Sequence, residues 1–183
     1  LPVLQLHSQA GYREQYLQRP DLGRKLNEES LTLLADYDTP CDIAVIIGDG
    51  LSATAINLNA IGLLKLLIPK LTDANLKVTV ISLVKQARVA ITDEIGYSLN
   101  AKLALMLIGE RPGLSSADSI GAYLTYNPKP GLTDESRNCV SNIRPKGLNY
   151  KQASEKIFYL VQEAFKRKLS GVALKDNAGL LNS

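Results

Sequence analysis

The residues best suited to chemistry lie in three polar segments, each following an apolar or aromatic run. Lys85-Gln86-Ala87-Arg88-Val89 is the first, Gly109-Glu110-Arg111-Pro112-Gly113-Leu114 the second, and Arg137-Asn138-Cys139-Val140-Ser141-Asn142-Ile143-Arg144-Pro145 the third. Glu110 is the most informative acid, because it stands directly after a wholly apolar stretch. A carboxylate there either accepts hydrogen bonds from a ligand or pairs locally with Arg111, and position alone leaves both open. Arg88 and Arg144 add donors. An edge combining a carboxylate, several guanidinium groups and exposed backbone suits a ligand rich in amides and phosphate. In an open α/β sheet such ligands bind in the crevice beyond the carboxyl ends of the strands, so segments distant in sequence can converge on one large molecule.

Other chemistries are poorly served. His7 is the only histidine, in a polar N-terminal segment, so histidine-based triads elsewhere are excluded and a surface role is expected. Cys41 and Cys139 are far apart and match no metal spacing or disulfide framework. Beside Arg137, Cys139 is either a thiol whose pKa positive charge lowers or a small packing residue. Gly48-Asp49-Gly50-Leu51-Ser52-Ala53 fits the G-x-G-x-x-A form of a dinucleotide loop. A ribose-binding acid should then end the next strand, yet Ser82, Leu83, Val84 and Lys85 occupy that region. The alternative is a tight turn with Asp49 as a turn or cap residue. A stand-alone nucleotide-binding module or oxidoreductase built on this loop is the competing functional class, and a purely structural partner subunit is a third. Lys166-Arg167-Lys168 ends a helix, where cations suit the dipole without any partner.

A chain of 183 residues with 45% hydrophobic content is large enough for one domain with its own core. Net charge is only +3, aromatics are 5% and tryptophan is absent, which argues against a nucleic-acid partner. No basic region followed by an apolar stretch marks a secretory signal, and a reducing cytoplasm is expected. The apolar run 51–68 is broken by Ser52, Thr54, Asn57, Asn59 and Lys65 and reads as a buried helix, not a membrane span. The chain begins at Leu1, as a trimmed fragment would.

The elements that must position these residues alternate. Residues 1–40 read as a polar helical segment, with Asn27 capping a helix through Leu33. Ile43-Ala44-Val45-Ile46-Ile47, Val78-Thr79-Val80-Ile81 and residues 103–108 read as buried strands. Tyr123-Leu124-Thr125-Tyr126 is a fourth strand and Val172-Ala173-Leu174 a last one. Helices are expected after Gly50, over 93–99, from 115 to 120, and over 151–167, where Ala153, Ile157, Leu160, Val161 and Ala164 share a face. Alternation of this kind implies an α/β, doubly wound, mostly parallel sheet. The expected division is 1–40 as the helical N-terminal segment and 41–183 as the main domain.

Gly109-Glu110-Arg111-Pro112-Gly113-Leu114-Ser115-Ser116, Tyr123-Leu124-Thr125-Tyr126, Gly131-Leu132-Thr133-Asp134 and the Arg137-to-Pro145 segment follow one another in order. Together with Leu169-Ser170-Gly171-Val172-Ala173-Leu174-Lys175 and the stretch from Asp42-Ile43-Ala44 to Gly50-Leu51-Ser52, they closely resemble the small (light) subunit of ethanolamine ammonia-lyase. The resemblance covers nearly the whole chain. It implies a Rossmann-like cobalamin-binding domain and an adenosylcobalamin enzyme that converts ethanolamine to acetaldehyde and ammonia by radical chemistry. It also implies a large-subunit partner that holds the substrate, in a hexamer of heterodimers, with the cobalamin enclosed at the subunit interface. Family cobalamin contacts carry over onto Val89, Glu110 and Cys139, all within the three segments above. No catalytic acid or base and no metal ligand is expected from this chain. His7 lacks the D-x-H-x-x-G context of a cobalt-binding histidine, so the cofactor's own dimethylbenzimidazole is expected to stay on cobalt. The implied setting is the bacterial cytoplasm, within an ethanolamine-utilisation microcompartment. Family members carry a longer N-terminal region linked to loading into that compartment.

Overall fold

The computed structural model describes residues 1–37, 39–113 and 118–174. Its six-stranded mixed sheet has the order β1-β3-β2-β4-β5-β6. The strands are β1 (Val3–His7), β2 (Ile43–Gly48), β3 (Ile81–Lys85), β4 (Leu103–Gly109), β5 (Ile120–Tyr126) and β6 (Arg137–Ile143). The helices are α1 (Arg13–Gln18), α2 (Glu28–Ala35), α3 (Ala53–Asp73), α4 (Ile91–Ser98) and α5 (Tyr150–Arg167).

The continuous apolar runs become the centre of the sheet. All seven residues of β4 are buried, as a strand covered on both faces requires. Alternate residues serve two cores. Ile43, Val45, Leu103, Leu105 and Leu107 pack under α3 and α5, while Ala44, Ile46, Ala104, Met106 and Ile108 pack with Ile91 and Ile95 of α4. α3 has the length and composition of a membrane-crossing helix. Its Leu63, Leu67 and Leu71 are nonetheless fully buried in the first core, which marks a core helix. The Ser52 side chain caps it by accepting from Ala55 N–H. Asn27 caps α2 in the same way through Ser30 N–H, as its sequence position predicts.

Five expectations need correction. The wound parallel pattern covers only β1, β3, β2 and β4; β5 runs antiparallel to β4, and β6 antiparallel to β5. Only ten residues, 110–119, join β4 to β5, fewer than the dozen or so a parallel crossover needs. The N-terminal segment is not wholly helical. Val3–His7 forms β1, parallel to β3, because Leu4 and Leu6 alternate with more exposed neighbours at the strand period. The second strand begins at Ile81, where 78–81 was expected. The third polar segment is not a connection but a strand, β6. The strand expected at 172–174 is instead a 3-10 turn, Gly171–Ala173. Asn138 of β6 fastens that turn, accepting from Gly171 N–H at 2.7 Å and donating to the carbonyls of Gly171 and Leu174. The helix expected at 115–120 falls mainly outside the described residues, and Ile120 opens β5.

β5 and β6 are out of even step. Ile120 pairs with Ile143 and Ala122 with Val140, so two residues on β5 span three on β6. This is a β-bulge, and Asn142, inside it, has φ 57°. The bulge keeps Val140 and Ile143, three residues apart, on one face, while Arg137 is buried on the other against Asp93.

Candidate ligand-binding site

The glycine loop after β2 is closed. Asp49 accepts from Gln86 N–H at 2.8 Å and Ala87 N–H at 3.0 Å, tying the β2 and β3 ends together. Gly50 has φ 57°, and a Cβ there would collide with the Gly109 backbone; a Cβ on Gly109 would collide with the Ser52 carbonyl. Only glycine allows this approach, which Leu51 N–H completes by donating to the Gly109 carbonyl at 3.0 Å. Arg13 lies over the turn, donating to the carbonyls of Gly50 at 2.7 Å and Leu51 at 3.1 Å. The loop is therefore a tight turn with Asp49 as its tie, and its crevice is taken by protein.

The open site lies beside it. Gln86, at φ 55°, turns the chain out of β3. Arg88 N–H then donates to the Gly23 carbonyl at 2.8 Å. Gly23 carries no Cβ where Arg88 Cγ would stand 2.7 Å away. Val89 follows, just ahead of α4. Glu110 sits one residue past β4 and is half-buried. Ser119 Oγ donates to its Oε2 at 2.6 Å and Asn142 N–H donates to the same atom at 3.2 Å. Among the described residues, Glu110 Oε1 accepts no hydrogen bond, and Glu110 makes no ion pair with Arg111. The two alternatives for this carboxylate thus resolve toward an acceptor held in place with one oxygen to spare.

Cys139 stands opposite Tyr123 in the β5–β6 ladder. α4 packs on β2 and β4, and it leaves the β5–β6 part of that face uncovered. A cavity of about 610 Å³ opens there, lined by Arg24, Arg88, Val89, Tyr123, Arg137 and Cys139 among others. A second, of about 380 Å³, shares Arg88, Val89 and Tyr123 and reaches Glu110 and Tyr16. Val89, Glu110 and Cys139 are thus brought to one concave surface with Tyr123 between them. Cys139 is placed mid-strand, so the surface runs from the strand ends down an open sheet face and is not confined to the rim.

The electrostatics revise the reading of the thiol. Arg137, buried within β6, turns away from Cys139: its Nη1 and Nη2 meet the two Asp93 oxygens at 2.7 and 2.9 Å, a bidentate pair. Thr125 Oγ1 and the Leu132 carbonyl accept further bonds. Burial opposes the Arg137 charge, but the Asp93 hydrogen bonds hold its pKa above the ordinary value. Desolvation inside the concavity pushes the Cys139 thiol up, and the Glu110 charge adds to this against a hydrogen bond from Tyr123. The thiol is protonated at neutral pH, contrary to the activated thiol that Arg137 suggested. Desolvation first, then Cys139 and Glu110, also raise the Tyr123 hydroxyl, which stays a neutral phenol.

Other candidates lie elsewhere. His7 ends the edge strand β1, with β3 and β2 between it and β4, and its Nδ1 lies 2.8 Å from the Ser8 carbonyl oxygen. Arg144 reaches Asn142 and Asp118. Lys166 and Arg167 pair with Glu163 on their own helix. Tyr123, Tyr16 and Arg24 were not singled out by sequence. Tyr123 could have been, as an aromatic on a strand that follows the Glu110 segment.

Fold and site together define a mixed α/β protein with an open, half-polar concave face, its glycine loop given over to packing. The family model Ethanolamine ammonia-lyase light chain (EutC) matches residues 1–175, and the chain belongs to that family. It is 51% identical over 182 residues to the ethanolamine ammonia-lyase small subunit of Azotobacter vinelandii, covering 97% of this chain and 67% of that one. Against the small subunits of Pseudomonas syringae pv. tomato and Pseudomonas fluorescens SBW25 the identity is 50%, covering 96% of this chain and 62% and 65% of theirs. The chain spans about two thirds of the length of these relatives.

Proposed function

We propose that this chain works as the small subunit of an adenosylcobalamin-dependent ethanolamine ammonia-lyase, forming one wall of the cobalamin site against a large subunit. The observation that carries this reading is the convergence of Val89, Glu110 and Cys139 around Tyr123. Family membership supports cobalamin as the ligand, and the geometry of the surface is consistent with that choice. A corrin is broad and flat, fringed by amides, and needs a wide open surface, not a deep slot. The two joined cavities offer such a surface, with a ring and an aliphatic side chain to pack against and a carboxylate oxygen still able to accept an amide N–H.

The radical chemistry that turns ethanolamine into acetaldehyde and ammonia is what adenosylcobalamin supplies when bound. The chain's own residues bind, orient and exclude water. Glu110 Oε1 accepts from an amide arm while Ser119 and Asn142 fix Oε2, so little side-chain freedom is lost on binding. Val89 and Tyr123 give apolar contact, and the neutral Cys139 thiol packs without bringing charge to the surface. The parallel half of the sheet is the Rossmann-like part of this reading. The partner is the large subunit, in a hexamer of heterodimers, and the setting is the bacterial cytoplasm, within an ethanolamine-utilisation microcompartment.

The test is Glu110→Ala in the complex with the large subunit. Losing one acceptor of an amide N–H should weaken cobalamin binding by about tenfold, with the KM for ethanolamine little changed at saturating cofactor. A large rise in that KM with unaltered cobalamin affinity would reject the assignment.

A further inference from the structure

The upper end of the larger cavity holds two cations that the site as described does not use. Arg24 is exposed at the end of a short 3-10 turn, Leu22–Arg24, and its side chain makes no hydrogen bond or ion pair among the described residues. Arg88 is half-buried and fixed in place. Its guanidinium lies 4.2 Å from the centre of the Tyr16 ring, and Nη2 donates to the Tyr16 carbonyl at 3.1 Å. Among the described residues nothing accepts from its Nη1, and its buried Nε has no partner. A buried guanidinium N–H left unpaired is expensive, more so when the side chain is already oriented.

Two backbone donors stand beside them. Val89 and Ala90 line the same cavity, and among the described residues neither N–H group has an acceptor. Ala90 caps α4 with no side-chain bond, so the positive end of the helix faces the same space. Of the acids nearby, Asp93 is spent on Arg137, and Asp134 lies 3.5 Å from Arg137 Nε. Glu94, also in the first turn of α4, accepts from Leu26 N–H at 2.7 Å, and among the described residues no acid pairs with Arg24 or Arg88.

We propose that Arg24 and Arg88, with the N–H groups of Val89 and Ala90, form an anion subsite that takes a phosphodiester. Two guanidinium groups and adjacent backbone N–H groups at a helix start are the donor set that phosphate oxygens select. The inference rests on the cobalamin reading, in which the ligand carries one phosphodiester in its nucleotide arm. The subsite holds that arm, while the Glu110–Tyr123–Cys139 surface holds the corrin. It thereby sets which way round the cofactor lies.

Two corrinoids separate the parts. Cobalamin carries the nucleotide arm, and cobinamide has the same corrin without it. Each is titrated into the complex with the large subunit and followed by visible absorption, for the wild type and for Arg24→Gln, Arg88→Gln and Arg88→Lys. The expected result is a loss of about tenfold in cobalamin affinity for either glutamine variant, with cobinamide affinity within about twofold of wild type. Millimolar inorganic phosphate should weaken cobalamin and leave cobinamide unaffected. The Arg24 side chain is exposed and makes no bond among the described residues, so Arg24→Gln keeps the test valid even if Arg88→Gln unfolds. Equal losses for both corrinoids, or no loss for either, would overturn the subsite and leave the corrin surface standing. A wild-type complex that bound neither corrinoid would remove the cobalamin reading and the subsite with it.

Discussion

Arg13 and Arg88 lie over the same tyrosine ring, 4.8 and 4.2 Å from the centre of Tyr16, yet they belong to opposite kinds of surface. Arg13 spends its guanidinium on the Gly50 and Leu51 carbonyls and seals the glycine loop. Arg88 gives one bond to the Tyr16 carbonyl and faces an open cavity. The loop that looks like a phosphate cradle in sequence is filled by protein, whereas the unremarkable segment after β3 is open. A glycine pattern reports how closely two backbones approach, and what occupies the approach decides whether a ligand can enter.

The largest effect should come from the wall of the open region. Asp93→Ala strands Arg137 as a buried charge, and breaking such a pair costs about 3–5 kcal/mol. Denaturant unfolding should show that loss, and an unchanged midpoint would mean that the pair does not support β6. The closed region is next. Gly50→Ala places a side chain at positive φ against the Gly109 backbone, a strain of about 1–3 kcal/mol. If the loop were instead a ligand cradle, stability would hold and binding alone would fall.

Reactivity sharpens the comparison further. A Cys139 pKa above its ordinary value leaves less thiolate at pH 7 than a free cysteine has, so alkylation should be slow there and accelerate only at alkaline pH. Glu110→Gln removes one cause of the rise and should speed the reaction, read by mass spectrometry across pH. Rapid labelling at neutral pH would show that the concavity does not desolvate the thiol. The smallest expected effect is nil: His7→Ala should leave both cobalamin affinity and the electron-spin spectrum of the cob(II)alamin form unaltered. Loss of a nitrogen coupling in that variant would place His7 on cobalt.

The sequence made the centre of the molecule legible and its margins less so. The apolar runs of β2 and β4 and the one-sided face of α5 follow from burial alone, which periodicity records directly. β1 was missed because an edge strand buries little, and its polar residues mimic a surface helix. β6 was missed because its bulge breaks the alternation that marks a strand. The positions of Val89, Glu110 and Cys139 came through family resemblance, while their grouping around Tyr123 depends on a strand reversal that no local pattern encodes. The Cys139 environment stayed open between an activated thiol and a packing residue, because adjacency to Arg137 says nothing about where that guanidinium points.

One extra residue in β6 has a reach beyond its own strand. Between Val140 and Ile143 the chain takes three steps where its neighbour takes two, and that surplus turns the Asn142 N–H toward Glu110. Removing a single residue there would bring the ladder into even step, with Val140 and Ile143 still on the face of the first core. Cys139 and Val140 would keep their sides, and the carboxylate would lose one of its two tethers. The surplus residue therefore serves the carboxylate and not the strand pairing: a shortened β6 would keep its ladder and leave Glu110 held by Ser119 alone.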